Sequence, residues 1–570
     1  MRVGAAGGGD MGREACRVAA MTLRFLALAA LLAAPLPAKT LIVNANGYTM
    51  TAGGDLKQFT GLLVGDDGKV SALLARGDPE PVLTGVDFRL DAGGRTLLPG
   101  LIDAHGHVLS LGHRALSIDL SATTGLEEAL EKIRVYAAAN PRARWIQGGG
   151  WNQVAWKLGR FPTAAELDRA VSDRPVLSSR VDGHALWGNS LAIKASGITA
   201  KTRDPVGGRI ERGAGSAASG VFVDAAQDLI SGVAPPPSGA EAEAALAKAL
   251  EIMASVGLTG VGDAGVSPED WTLYRSFGDS GRLTARIYAL AGGMEALDRI
   301  APVRPLPWLY GDRLTLQGVK LYADGALGSR GAWLKAPYSD DPTNRGLQFH
   351  AEAKLQNWIS RASFAGFQVA VHAIGDAANK QVLEAFALNE PTYGKTLRHR
   401  IEHAQVVSPD DLPQFEKLGI IASVQPTHAT SDKAMAADRV GEARLAGAYA
   451  WKSLVASGAK LALGSDFPVE SPNPFFGLHA AITRQDQANQ PDGGWRAQEA
   501  LTRVQAFAGF TSGAAYAMRM EDRTGTLEPG KWADFILIDR DIFTSPAQDV
   551  WKTTVDETWL AGRRIYVRQP

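Results

Sequence analysis

A (β/α)8 barrel of α/β class with a long insertion after its first strand, plus a small β-sandwich domain formed by both chain ends, is the architecture this sequence predicts. Three observations carry it. The middle of the chain alternates eight short apolar runs with helical stretches, the pattern of a parallel α/β sheet. The first of these runs is followed by a gap far too long for one crossover helix. Both chain ends are built instead of short strand-like runs and turns.

The elements follow in chain order. Residues 1–38 read as a cleaved signal peptide, with Arg24 ahead of the apolar run from Phe25 to Ala34 and Ala38 as the small residue at the cut. The run is short for a membrane-spanning helix. Met21 is a second candidate start. The chain is therefore expected to be exported, periplasmic or secreted. Cys16, the only cysteine, would leave with the signal, so the mature chain is expected to have no disulfide and no thiolate ligand.

Residues 39–97 form the N-terminal part of the β-sandwich, with Thr40–Val43, Thr60–Val64 and Val70–Leu74 as strands and an Asp67-Gly68 hairpin turn. Residues 521–570 supply the rest, around the runs Ala533–Asp539, Thr558–Leu560 and Ile565–Val567. The barrel occupies 98–520. Its eight strands are read as Leu98–Val108, Gly257–Asp263, Arg286–Leu290, Leu316–Tyr322, Gln368–His372, Arg400–Val406, Ile420–Gln425 and Leu461–Asp466. The insertion, about 109–255, is rich in Gly, Trp and turn residues and holds a stiff Pro235-Pro236-Pro237 loop. An insertion at that point sits over the active face of a barrel.

Composition narrows the function classes. The 570 residues carry a formal net charge of -1, with 45% hydrophobic and 21% charged residues. No clustered basic face points to nucleic acid, and no mature run is long and apolar enough to span a bilayer. The partner expected is a small-molecule substrate, with no nucleic acid and no membrane after signal cleavage. A homo-oligomer is left open.

The chemistry lies at the strand ends. His105 and His107 are spaced i and i+2 on an apolar strand, so both side chains point the same way, as two ligands of one metal ion would. Lys320 lies in the fourth run, His372 ends the fifth, His403 lies in the sixth and Asp466 ends the eighth. Each alone has a plain structural explanation: a snorkelling lysine, a core histidine, a helix-capping aspartate. Together they place six metal- or proton-handling groups at the end of a barrel where active sites are built.

The phrases PGLIDAHGHVLSLG, GVKLYADGALGSR, VHAIGDAAN, RIEHAQ and LGSDFPVE, with FPTAAELD and DGHALWGNS in the insertion, resemble the metal-dependent amidohydrolase superfamily. They are similar to its amidohydrolase-3 branch of YtcJ-like proteins and N-substituted formamide deformylase, from about residue 40 to the end. The resemblance implies that His105, His107 and Asp466 hold one metal ion and His372 and His403 a second. Lys320 would be carboxylated and bridge the two. Zinc, two per chain, is the cofactor implied, with a single ion and an unmodified Lys320 as the alternative. The activity implied is cleavage of a C–N, amide-type bond of a small molecule by metal-activated hydroxide, with Asp466 as the base. An N-substituted amide or formamide is the substrate suggested. A deaminase or cyclic-amide hydrolase on the same scaffold is the alternative; a non-catalytic binding relative would be expected to have lost some of the six groups. Substrate contacts are expected of Trp151, His184, Arg330 and His428, with Asp182 and Trp187 nearby in the insertion motifs. Phe475 and Phe476 suggest an apolar pocket.

Overall fold

Gly100 divides what the sequence reads as one strand, Leu98–Val108. In the computed structural model, which describes residues 39–78, 86–141, 143–153, 155–180, 185–205, 208–234, 239–328 and 330–569, Thr96–Pro99 belongs to an end sheet and Leu101–Gly106 is the first barrel strand. The break has a steric cause. A Cβ on Gly100 would lie 2.3 Å from Thr259 Oγ1, so the chain can pass there only without a side chain. On either side of the break the backbone serves different sheets: Gly100 N–H donates to Asp534 O (2.8 Å) and Leu101 N–H to Gly257 O (3.0 Å).

The remaining barrel strands are Leu258–Val266, Arg286–Gly292, Leu314–Tyr322, Gln368–Ala373, Arg400–His403, Ile421–Val424 and Lys460–Leu463. They pair in chain order, parallel throughout, with Leu306–Leu309 added antiparallel to the fourth. The first strand is buried at every position, as a parallel strand covered on both faces must be. The sheet nearly closes. Asp466 N–H donates to His105 O (2.7 Å), His107 N–H to Phe467 O (2.8 Å), and Ser465 Oγ to Asp103 Oδ2 (2.6 Å). These bonds join the eighth strand's exit to the first strand. Ala104, Leu290, Ala370, Ile421 and Ala462 share one cluster of the core, while the larger core packs helices against the strands.

The insertion carries its own six-stranded sheet, from Ile118–Asp119 to Ala218–Asp224, with a core of Trp151, Trp156, Trp187 and Leu167. Helix Val108–Leu116 leads into it and packs on Gly239–Ser255 so closely that a Cβ on Gly112 would lie 1.8 Å from Ala245 O.

Two further sheets hold the chain ends. One joins Val70–Leu74, Gly61–Val64, Thr40–Val43 and Phe88–Asp91; the other sets Leu56–Phe59, Asn46–Met50 and Thr96–Pro99 beside Phe535–Ile538, Val555–Leu560 and Arg563–Val567, the two halves meeting where Thr96–Pro99 pairs with Phe535–Ile538. Ile42, Leu62 and Val64 share one cluster with Leu97, Phe535 and Trp559. A buried pair fastens this end to the barrel: Arg286 of the third barrel strand donates to both carboxylate oxygens of Asp534, at 2.7 and 2.8 Å.

The signal reading with Cys16, the Pro235–Pro237 loop, Asp182 and His184 lie outside the described residues. Among the described residues, no helix is long and apolar enough to cross a membrane.

Candidate metal centre

Parallel strands deliver their C-terminal residues to one mouth, and here the polar residues at those ends meet. His105 Nε2 lies 3.3 Å from Lys320 Nζ and 3.5 Å from Asp466 Oδ1. His107 Nε2 lies 3.0 Å from the same carboxylate oxygen. The His403 ring centroid is 4.9 Å from that of His105 and 4.6 Å from that of His372. All six side chains singled out from the sequence are thus brought together.

The local backbone explains how. His107 lies just past the first strand, as the extended residue ahead of helix Val108–Leu116. The sixth strand stops at His403 rather than Val406, because His403 and Ala404 take φ of 73° and 40°. The eighth strand stops at Leu463, and Asp466 follows it at φ 61°. Left-handed backbone at a non-glycine residue is strained; here it turns two functional side chains toward the common centre instead of along their strands.

Second contacts fix the rings. His105 Nδ1 is 2.5 Å from Glu402 Oε2, and His403 Nδ1 is 2.8 Å from Gln425 Oε1. In each, the bond made by Nδ1 leaves Nε2 for the centre. His372 Nε2 is less committed, 3.5 Å from both Asp324 Oδ1 and Gly325 O.

Electrostatics favours ligand-ready states at three of the histidines, whereas at His428 burial is outweighed by the hydrogen bonds to Asp466 and Glu470, which raise it to about 10. Burial, with Lys320 nearby, pushes His105 down to about 4 and His372 to about 3. Burial, with the His372 and His105 charges, holds His403 well below its ordinary value. All three are therefore neutral near pH 7, the form that binds metal. Burial lowers Lys320 to about 8 against the pull of Glu402 and Asp466. Burial works to raise the Asp466 carboxyl, but hydrogen bonds from His107 and His428 hold it well below the usual carboxylate range.

Two overlapping groups have the spacing to hold an ion: His105, His107 and Asp466, and His403, His428 and Asp466. Imidazole nitrogen with carboxylate oxygen is a donor set suited to zinc. His428, expected as a substrate contact, thus stands inside the cluster. Its Nε2 is 3.4 Å from Asp466 Oδ2 and its Nδ1 3.3 Å from Glu470 Oε1. Glu470 lines a cleft of about 380 Å³ with Leu111, Arg114 and Val469, next to the mouth.

The other expected contacts fare differently. Trp151 is fully buried and donates Nε1–H to Ser178 O (2.8 Å); it packs against Trp156 and Trp187 and has no surface to offer a substrate. Trp187 is equally buried, with Nε1–H on Thr163 O. Arg330 grips Asp340 with two bonds, at 3.1 and 3.0 Å. Phe475 is buried and Phe476 packs on Trp551, so neither supports the apolar-pocket expectation.

Sequence reading missed Glu402, Gln425, Glu470 and Tyr322. Glu402 stands inside the RIEHAQ phrase, two residues from Arg400 on the same strand face. Tyr322 is two residues past Lys320, with its ring 5.5 Å from that of His372, and is 39% exposed at the mouth.

Comparison with known proteins agrees with this geometry. A family model described as "Amidohydrolase family" matches residues 90–566. YtcJ of Bacillus subtilis (strain 168) is 33% identical over 485 residues, 84% of this chain and 90% of that protein. The N-substituted formamide deformylase of Arthrobacter pascens is 28% identical over 497 residues, covering 84% and 90%. The crystal structure of an uncharacterized metal-dependent hydrolase from Pyrococcus horikoshii superposes with a TM-score of 0.75 at 27% identity, covering 89% of this chain and 99% of that one.

Proposed function

From the premise that this chain belongs to the amidohydrolase family and is a hydrolase, we propose that it cleaves a C–N, amide-type bond of a small molecule, such as an N-substituted amide or formamide. The observation that carries the reading is the convergence of His105, His107, His372, His403, Lys320 and Asp466 on the barrel mouth, with His105, His372 and His403 held neutral and the carboxylate ionised. The similarity to an N-substituted formamide deformylase supports the substrate class.

His105, His107 and Asp466 would hold one zinc ion and His372 and His403 a second. Lys320, buried 3.3 Å from a ligand nitrogen, would join them as a carbamate. Its amine takes up carbon dioxide, loses a proton and becomes an oxygen ligand, which removes a cation from a site meant for cations. A divalent ion held there supplies a water that ionises near neutral pH and polarises a carbonyl. Asp466 takes the proton that the water loses and returns it to the leaving amine. Glu470, which His428 contacts, lines the cleft from which substrate would approach.

The same reading keeps residues 1–38 as an export signal, 98–520 as the barrel apart from Leu98 and Pro99 in the end sheet, and 39–97 with 521–570 as one small β-sandwich, whose mixed six-stranded sheet supports it.

The test is hydrolysis of a panel of N-alkyl and N-benzyl formamides, acyl-amino acids and cyclic amides by the zinc-loaded chain, with products identified and metal counted. A substituted amine plus an acid, with two zinc ions per chain, supports the proposal. Free ammonia moves the assignment to a deaminase, and protein that retains no metal removes it.

A further inference from the structure

We propose that Glu402, held by Arg400, is a positioning residue for the metal centre: its carboxylate locks the His105 ring so that Nε2 alone faces the ion.

Arg400 and Glu402 are two apart on the sixth barrel strand, so both point to the same side. Both are fully buried. Ionised groups in such a place are costly unless each is paired. Arg400 Nε donates to Glu402 Oε1 (2.7 Å) and Nη2 to Glu402 Oε2 (3.0 Å). Nη2 also reaches Ala104 O (2.8 Å) and Ser423 Oγ (2.9 Å), which ties the pair to the first and seventh strands.

The pair is not closed on itself. Glu402 Oε2 continues to His105 Nδ1 at 2.5 Å. An ionised carboxylate can only accept, so Nδ1 carries the proton and Nε2 carries the lone pair. That Nε2 is the atom facing Lys320 and Asp466. His403 is oriented by a neutral amide, Gln425; among the described residues of the centre, His105 is the histidine backed by a charge with its own buried counter-charge. The Arg286–Asp534 pair shows what a purely structural version looks like. It is as deeply buried, yet the Asp534 carboxylate accepts its further bonds from Thr524 Oγ1–H and Ala561 N–H and meets no imidazole among the described residues.

The inference rests on the metal reading above, and one set of measurements separates the two. Zinc affinity of the full chain is measured by competition with a chromophoric chelator, and the visible spectrum is recorded on the cobalt-substituted chain. Glu402→Gln should bind zinc 10–100-fold more weakly and shift the cobalt spectrum. Because that variant strands Arg400, the double variant Arg400→Met with Glu402→Gln is compared; it should fold and show the same loss. Asp534→Asn should lower thermal stability and leave affinity and spectrum unchanged. Wild-type affinity and spectrum in the double variant would overturn the proposal. So would a crystal structure of the zinc-loaded wild-type chain in which His105 binds through Nδ1, a result independent of how any variant folds. A wild-type chain that takes up no zinc overturns the metal reading and this inference with it.

Discussion

His399 and His403 bracket the same four-residue strand, one at the base of the barrel and one at its mouth. Both are buried. At the base, His399 Nδ1 accepts from Val369 N–H (3.0 Å), Nε2 faces Ser363 Oγ (3.2 Å), and the ring stacks on Phe386 with centroids 4.9 Å apart. At the mouth, His403 spends Nδ1 on Gln425 and turns its remaining edge toward rings of its own kind, His105, His372 and His428. Residue type and burial are the same; what differs is whether the neighbours complete the ring's hydrogen bonding or leave an atom to serve something else. Packing closes the base, and the mouth keeps donors in excess of partners.

The strongest way to break that contrast is to alter the group on which the mouth converges. Asp466→Asn should keep much of the metal and lose about 10³-fold in turnover, the scale of a lost general base. Turnover near wild type, with metal content confirmed, would remove the base assignment.

Exchanging the two histidines in parallel tests the contrast itself. His403→Gln should lower the metal content of the purified chain and abolish turnover with little loss of fold. His399→Gln should do the reverse, costing about 1–3 kcal/mol of stability for the buried groups it strands while metal content stays at the wild-type value. The acid response of His399 has a definite sign. Burial, aided by the Arg519 charge, lowers it to about 3, against about 6.5 in an unfolded chain. Between those values the unfolded chain binds the proton and the folded chain does not. The stability tied to neutral His399 is therefore present above about pH 6.5 and lost as pH falls toward 3. Thermal melts from pH 7 to 4 should fall less steeply for His399→Gln than for wild type; equal slopes would show that His399 does not control acid stability.

An effect confined to the insertion, with none on the metal centre, is expected next. Trp151→Ala should cost about 3–5 kcal/mol within the insertion's core, seen as an early melting step or faster proteolysis there. Metal content should not change. A loss of metal instead would mean that the insertion helps to build the mouth.

These contrasts explain what the sequence could and could not disclose. His105 and His107, Lys320, His372, His403 and Asp466 were legible because each lies within, ends or follows an apolar strand run, where a polar group has no packing reason to be. Strand order along the chain also matches order around the barrel. The single-strand reading of Leu98–Val108 failed because apolarity does not report a steric break; only Thr259, brought near by folding, requires the glycine at position 100. Trp151 and Trp187 were mistaken for substrate contacts because an aromatic residue in a Gly-rich insertion looks the same whether it lines a pocket or fills a core. Glu402 was hidden for the opposite reason. It shares a strand face with Arg400, and a charged pair at that spacing reads as a solvated edge until the strand is seen to be central.

Arg330 marks the weak end of the comparison. It follows the fourth strand, close in sequence to Lys320, and so has the address of a mouth residue without the environment of one. Its guanidinium is bidentate on Asp340, which Arg439 also grips. Arg330 is 35% and Asp340 23% exposed as side chains, and an ion pair so open to solvent is worth about 1 kcal/mol or less. Arg330→Ala should therefore leave kcat unchanged, shift KM by no more than a few-fold, and lower thermal stability only slightly. A large rise in KM with kcat intact would mean that Arg330 leaves Asp340 to hold the substrate. Position after a barrel strand would then outrank the hydrogen-bond partners seen in the structure as a guide to function, which is the rule that His399 and His403 otherwise contradict.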